Sequence, residues 1–162
     1  MGSVVNLLLE WMDHTFVQEG WHVSLLDSIT GVSAAQAAWV PARERNSIWK
    51  IVEHVALWKE EGARRILAQP PRPAGWEQGY DWREIGPVSE ERWQTAGKRL
   101  RDAHAAVKAA LAKRSDADLQ VPAPGSALPI AATVRGLILH DSYHCGQICY
   151  LRALAGNPAK IW

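Results

Sequence analysis

Residues 136–154 read GLILHDSYHCGQICYLRAL. Apolar side chains recur there at three- and four-residue steps, no Pro interrupts them, and Gly156-Asn157-Pro158 follows as a stop, so a last helix over 131–154 is predicted. His140 and His144 stand one turn apart on it, about 40° around the axis, so both imidazoles can reach one ion. Alone the pattern is weak, since two helical histidines at this spacing are more often ordinary surface or partly buried side chains. A metal site needs a third ligand.

Upstream, residues 46–60 read NSIWKIVEHVALWKE. Asn46 or Ser47 is placed as an N-cap, and the apolar period that follows predicts a helix to about residue 69, where Pro70, Pro71 and Pro73 end it. His54 shares a face of this helix with Ile51, Trp58, Glu61 and Arg65. By itself it reads as a satisfied core histidine. Combined with His140 and His144 it completes a set of three, and facing helices of a bundle are where such sites are built.

The rest of the chain supplies two more helices. Over 3–29, Leu7, Trp11, His14, Gln18, Trp21, His22, Leu25 and Ile29 share one face, and Gly31 is the expected stop. Ser89 reads as the N-cap of a helix to about residue 114, with Glu90 and Glu91 at its positive end. The loop between the second and third helices carries Trp76, Tyr80 and Trp82. It is longer and more aromatic than a simple connection requires, which makes it a candidate lid over the site or an interface. No strand alternation or repeat is present, so an all-α fold is expected: a four-helix bundle in one domain, 1–162, with at least one crossover.

Composition narrows the function. With 18 basic and 17 acidic residues, net charge +1, there is no footprint for nucleic acid. No run approaches the roughly 20 apolar residues of a membrane span, and no signal segment is visible, so a cytoplasmic location is expected. Cys145 and Cys149 are four apart in one helix and read as free thiols. They lie about 140° and 180° around that helix from His140 and so should not join the ligands. Nine tryptophans against one phenylalanine are an unusual store of large amphipathic rings, several of which should line a pocket.

The two quoted strings, in this order and at this separation, resemble the second and fourth helices of the DinB-like superfamily, which includes YfiT-like proteins. The resemblance extends over nearly the whole chain. It implies a four-helix bundle with a crossed, up-down-down-up connection. It also implies a divalent metal ion, often zinc or nickel, on His54, His140 and His144. Three neutral imidazoles leave such an ion its charge and an open position, as in catalytic rather than closed structural sites. The superfamily contains hydrolases, and transferases or isomerases that use a low-molecular-weight thiol such as mycothiol or bacillithiol. The resemblance therefore implies a metal-dependent enzyme with a small-molecule substrate, without choosing between these chemistries. The other reading is a non-catalytic, metal-stabilised module that binds a small molecule or dimerises, in keeping with members first noticed as damage-inducible. A homodimer is expected if aromatic surface is exposed.

Further site candidates follow from helical position. Gln147, seven residues after His140, lies on the ligand face and is placed either on a metal-bound water or substrate or as a buried amide tying helices together. His14 and Glu61 face inward by periodicity and are candidates for acid-base work or core polar groups. Asp141 and Glu53 point about 100° away from the neighbouring ligands and read as surface charges. His22 and His104 carry no signal.

Overall fold

The computed structural model describes residues 3–18, 20–43 and 45–159. Among the described residues the regular elements are helical, apart from one isolated bridge between Pro122 and Pro129. Helix α1, Val4–Phe16, starts at Ser3, whose hydroxyl accepts the N–H of Asn6. Asp116 accepts the N–H groups of Val4 and Val5 at 2.9 and 3.0 Å, so three donors that a helix start leaves unpaired are satisfied.

The single helix expected over 3–29 is broken. After α1, a separate helix α2 runs Leu25–Ile29, and Ser24 is its N-cap, accepting the Asp27 N–H and donating to the Asp27 carboxylate at 2.7 Å. Ser24-Leu25-Leu26-Asp27 is a helix-start signal. It restarts the helix although the apolar period runs on through it. A short α3, Ala34–Ala38, follows on a complete Ser33–Gln36 capping box.

Helix α4, Ile48–Ile66, is capped by Ser47 and ends short of Pro70, with Ala68 at a positive φ of 55° just beyond it. Helix α5, Glu90–Leu111, is capped by Ser89 and stops before Arg114. The Arg114 guanidinium instead donates to the Ile66 carbonyl at the end of α4, at 2.7 Å from Nε. Helix α6, Ile130–Leu154, matches its sequence expectation to within a residue. No helix among the described residues is long and apolar enough to cross a membrane.

Helix α4 packs on both α5 and α6, and α1 packs on α6 and α5. The buried apolar residues fall into two clusters. One holds Phe16, Trp49, Val52, Trp93, Leu100 and Ile148. The other holds Leu8, Met12, Ile66, Val107, Ile130 and Val134. On each long helix buried or half-buried polar side chains lie between the two clusters: Asp13 and Thr15, Lys59, His104, Asp141.

The centre of this layer is an ion pair. Lys59 and Asp141 are 0% and 1% exposed, with Nζ 2.7 Å from Oδ2. Burial pushes Lys59 down and Asp141 up, and their mutual attraction opposes both shifts. Lys59 Nζ also lies 3.3 Å from His104 Nδ1, and His104 stacks on Phe16 at 3.7 Å between ring centroids. The surface placement of Asp141 is thus corrected: its side chain turns into the core because α4 presents a lysine there. Lys59 occupies the same stripe as Val52, Val55, Ala56, Ala63 and Ile66. Glu53 is half-exposed and reaches Arg99 of α5.

Candidate metal centre

Helices α4 and α6 bring His54, His140 and His144 together, with ligand atoms all within 4.8 Å of one another. The Nε2 atoms of His54 and His144 lie 3.0 and 2.9 Å from Nε2 of His140. At metal–nitrogen distances of about 2.0–2.1 Å, neighbouring ligand nitrogens stand about 2.8–3.4 Å apart, depending on coordination geometry. The spacing is close to that of a ligand shell.

The outer ring atoms fix which nitrogen carries hydrogen. His54 Nδ1 is 2.5 Å from Asp81 Oδ1, and His144 Nδ1 is 2.7 Å from Gln147 Oε1. Both partners are acceptors, so both Nδ1 atoms are donors, which leaves each Nε2, aimed at His140, as the atom free to ligate. His140 has a single Nε2 to meet both, and its Nδ1 is buried without a partner, so one N–H cannot satisfy the two lone pairs, whereas a cation among the three nitrogens satisfies all of them. The donor set therefore fits a divalent ion. Burial, then the neighbouring imidazoles, pushes His140 down to about 3, and burial and His54 push His144 down to about 4. Both are neutral near pH 7, the form that ligates.

Gly62 of α4 leaves room for the Leu137 side chain of α6. A Cβ there would stand 2.6 Å from Cδ1 of Leu137 on α6. The loop after α4 then closes over one side. Asp81 accepts from His54, from the Trp58 indole at 3.1 Å and from the Trp82 N–H at 3.0 Å. Trp82, held at a φ of 53° that side chains rarely adopt, stacks on His54 at 3.9 Å and 16°. Trp76 meets Trp58 at 5.8 Å. Beside His54 and His140, a cavity of about 470 Å³ opens along α4 and α6.

The other candidates take varied places. Gln147 is half-buried, and both ends of its amide are engaged, the oxygen by His144 and the nitrogen by Tyr143 Oη at 3.0 Å. It positions His144 and does not line the cavity. Glu61 is buried on α4 and lines the cavity at a distance from the imidazoles, bonded to arginines. His14 departs from its inward placement: its side chain is 49% exposed beside Glu10, next to Trp11 and Trp21, because the inward side of α1 there is taken by Thr15 and Phe16. Cys145 is buried with Sγ against the Val23 carbonyl, and both cysteines are free thiols outside the histidine cluster. Sequence reasoning missed Asp81. Its one visible signal is an acid set between two aromatic residues, Tyr80-Asp81-Trp82.

These features define a three-imidazole centre able to hold a divalent ion in an all-helical protein. Residues 15–148 match the DinB superfamily, a stretch that includes all three histidines, and the chain belongs to that superfamily. No curated protein and no solved structure matches it.

Proposed function

We propose that this chain is a divalent-metal-dependent enzyme acting on a small molecule, either as a hydrolase or as a transferase that uses a low-molecular-weight thiol. His54, His140 and His144 hold the ion, zinc or nickel by donor type. The observation that carries the reading is the convergence of three Nε2 atoms whose outer nitrogens, on two of the rings, are already committed to acceptors. When bound, the ion supplies Lewis acidity, which lowers the pKa of a coordinated water or thiol towards neutrality.

The chain's own residues do the rest. Asp81 fixes the tautomer and orientation of His54, and Gln147 does the same for His144. Trp82 covers one face of His54 and limits water on that side. Substrate enters from the cavity on the other side.

The same reading takes the four long helices as a bundle with an up-down-down-up connection. The order in which they meet the two apolar clusters supports it: α1 and α6 run from the Leu8 cluster to the Phe16 cluster, and α4 and α5 run the opposite way. Two free thiols are consistent with the cytoplasm. Leu139, Tyr143 and Tyr150, exposed on α6, are the face on which we place a homodimer contact.

The test is metal analysis of untagged protein, followed by hydrolase and thiol-transfer assays. One divalent ion per chain is expected in the wild type. His144→Ala should lose the ion and the activity together while the helical circular dichroism is kept. Wild-type protein that binds no stoichiometric metal when supplied with zinc or nickel would sink the proposal.

A further inference from the structure

The α4 face that carries His54 continues through Trp58, Glu61 and Arg65, and the cavity beside the imidazoles runs along it. Across the gap stand Gly136, Leu137 and His140 of α6, with Leu128 from the preceding turn. Trp58, Leu128 and Leu137 make the walls apolar. Arg65 supplies the one full positive charge among the lining residues.

The polar groups of the cavity are unequally satisfied. Glu61 is saturated: its Oε1 takes Arg65 Nε at 3.0 Å, and its Oε2 takes Arg72 Nε at 3.0 Å with Arg64 Nε at 3.5 Å. Asp81, the other acid, is held by His54, Trp58 and the Trp82 backbone. Arg65 donates only through Nε, and among the described residues no acceptor takes Nη1 or Nη2. Three guanidinium groups around one carboxylate leave the far end of the cavity positive. An Arg fork with free Nη atoms is the group that pairs bidentately with a carboxylate or phosphate.

Length follows from the helix. Arg65 lies eleven residues beyond His54, about 16 Å along the axis, and both side chains lean toward the helix N-terminus, the longer arginine further, so the guanidinium stands roughly 14 Å from the imidazole. We propose that this cavity binds a small amphiphilic anion, with a carboxylate or phosphate group on Arg65 and an apolar body of about eight carbons against Trp58 and Leu137. Its opposite end reaches the imidazoles. The inference deepens the enzymatic reading above, which gives that end its chemistry, while binding itself needs only the cavity and Arg65.

Calorimetric titration of zinc-loaded protein with octanoate, octyl phosphate and neutral octanol tests it. At least one of the two anions should bind one per chain about tenfold tighter than octanol, and the tighter of them identifies the anion class. Arg65→Gln should reduce that anion to the octanol level. A Cβ at Gly136 would meet nothing within 4 Å, so Gly136→Leu should fill the cavity without disturbing the helix and weaken all three probes. Circular dichroism and zinc content of both variants should match wild type. Equal binding of anions and octanol, no binding of any probe, or Arg65→Gln leaving the anion unaffected, as when the carboxylate seeks the ion instead, would each overturn the inference. Zinc stoichiometry on the same samples separates the two readings. Failure of the probes with one zinc per chain leaves the metal centre standing, whereas protein without zinc that retains Arg65-dependent binding keeps the cavity and loses the centre.

Discussion

Asp81 accepts from a ligand imidazole, an indole and a backbone N–H at once, so its charge bears on the orientation of His54 and on the seating of Trp82. Asp81→Asn is expected to weaken zinc binding by about ten- to a hundredfold, read by competition against a chromophoric chelator, with helicity unchanged. An affinity equal to wild type would show that His54 is held by packing alone. His104 gives a pH signature of its own. Burial, then the Lys59 charge, with Lys108 adding and Asp13 opposing, pushes it from 6.5 down to about 3. The unfolded chain therefore takes up a proton that the folded chain refuses, and stability is lost as pH falls from about 6.5 towards 3. Urea midpoints at pH 7.5 and pH 5 should differ less for His104→Asn than for wild type, and equal differences would count against the assignment. The His140–His144 pair was legible in sequence because helical spacing fixes direction, and the family resemblance joined His54 to it. Asp81 was not, because a loop has no period from which direction can be read, and the inward placement of His14 failed because one period was carried across two helices.

Between elements, Lys59 and Asp141 lock α4 to α6, the two helices that carry the three histidines, through a fully buried contact. Breaking such a pair from one side strands a buried charge. Lys59→Met should therefore cost about 3–5 kcal/mol in urea denaturation, whereas Lys59→Met with Asp141→Leu should recover most of the loss. If the pair also sets the register of the two helices, the double variant folds well but holds zinc less tightly than wild type. A double variant as unstable as the single one would mean the cost lies in packing rather than in charge. The elements themselves were largely visible beforehand. Ser47, Ser89, the Pro70 stop and Gly156 mark boundaries that the structure keeps to within a few residues, and the break before α2 was written in Ser24 and Asp27 but hidden by an apolar period that happens to continue in phase. Lys59, on the buried stripe of α4, was passed over in the sequence, and it is the residue that Asp141 turns inward to meet.

At the scale of the whole molecule, the core is two apolar clusters that share the four long helices, with buried polar side chains between them. The histidine centre sits beside that layer, with His140 next to Asp141 on α6, on two helices that are already packed on α5 and α1. Folding therefore does not wait for the ion: most helical stability comes from the buried stripes, which are complete without it. Chelator-treated protein is expected to keep its helical circular dichroism and a cooperative thermal transition. Added zinc should then raise the melting temperature in a concentration-dependent way, each tenfold increase in free zinc above its Kd adding about 1.4 kcal/mol at 25 °C. His144→Ala should melt close to the chelated wild type and show no such rise. Loss of the helical signal on chelation at room temperature would instead assign the ion to folding, as in small zinc domains that are unfolded without metal. That outcome would turn the histidine centre from a site carried by the bundle into a condition for having one.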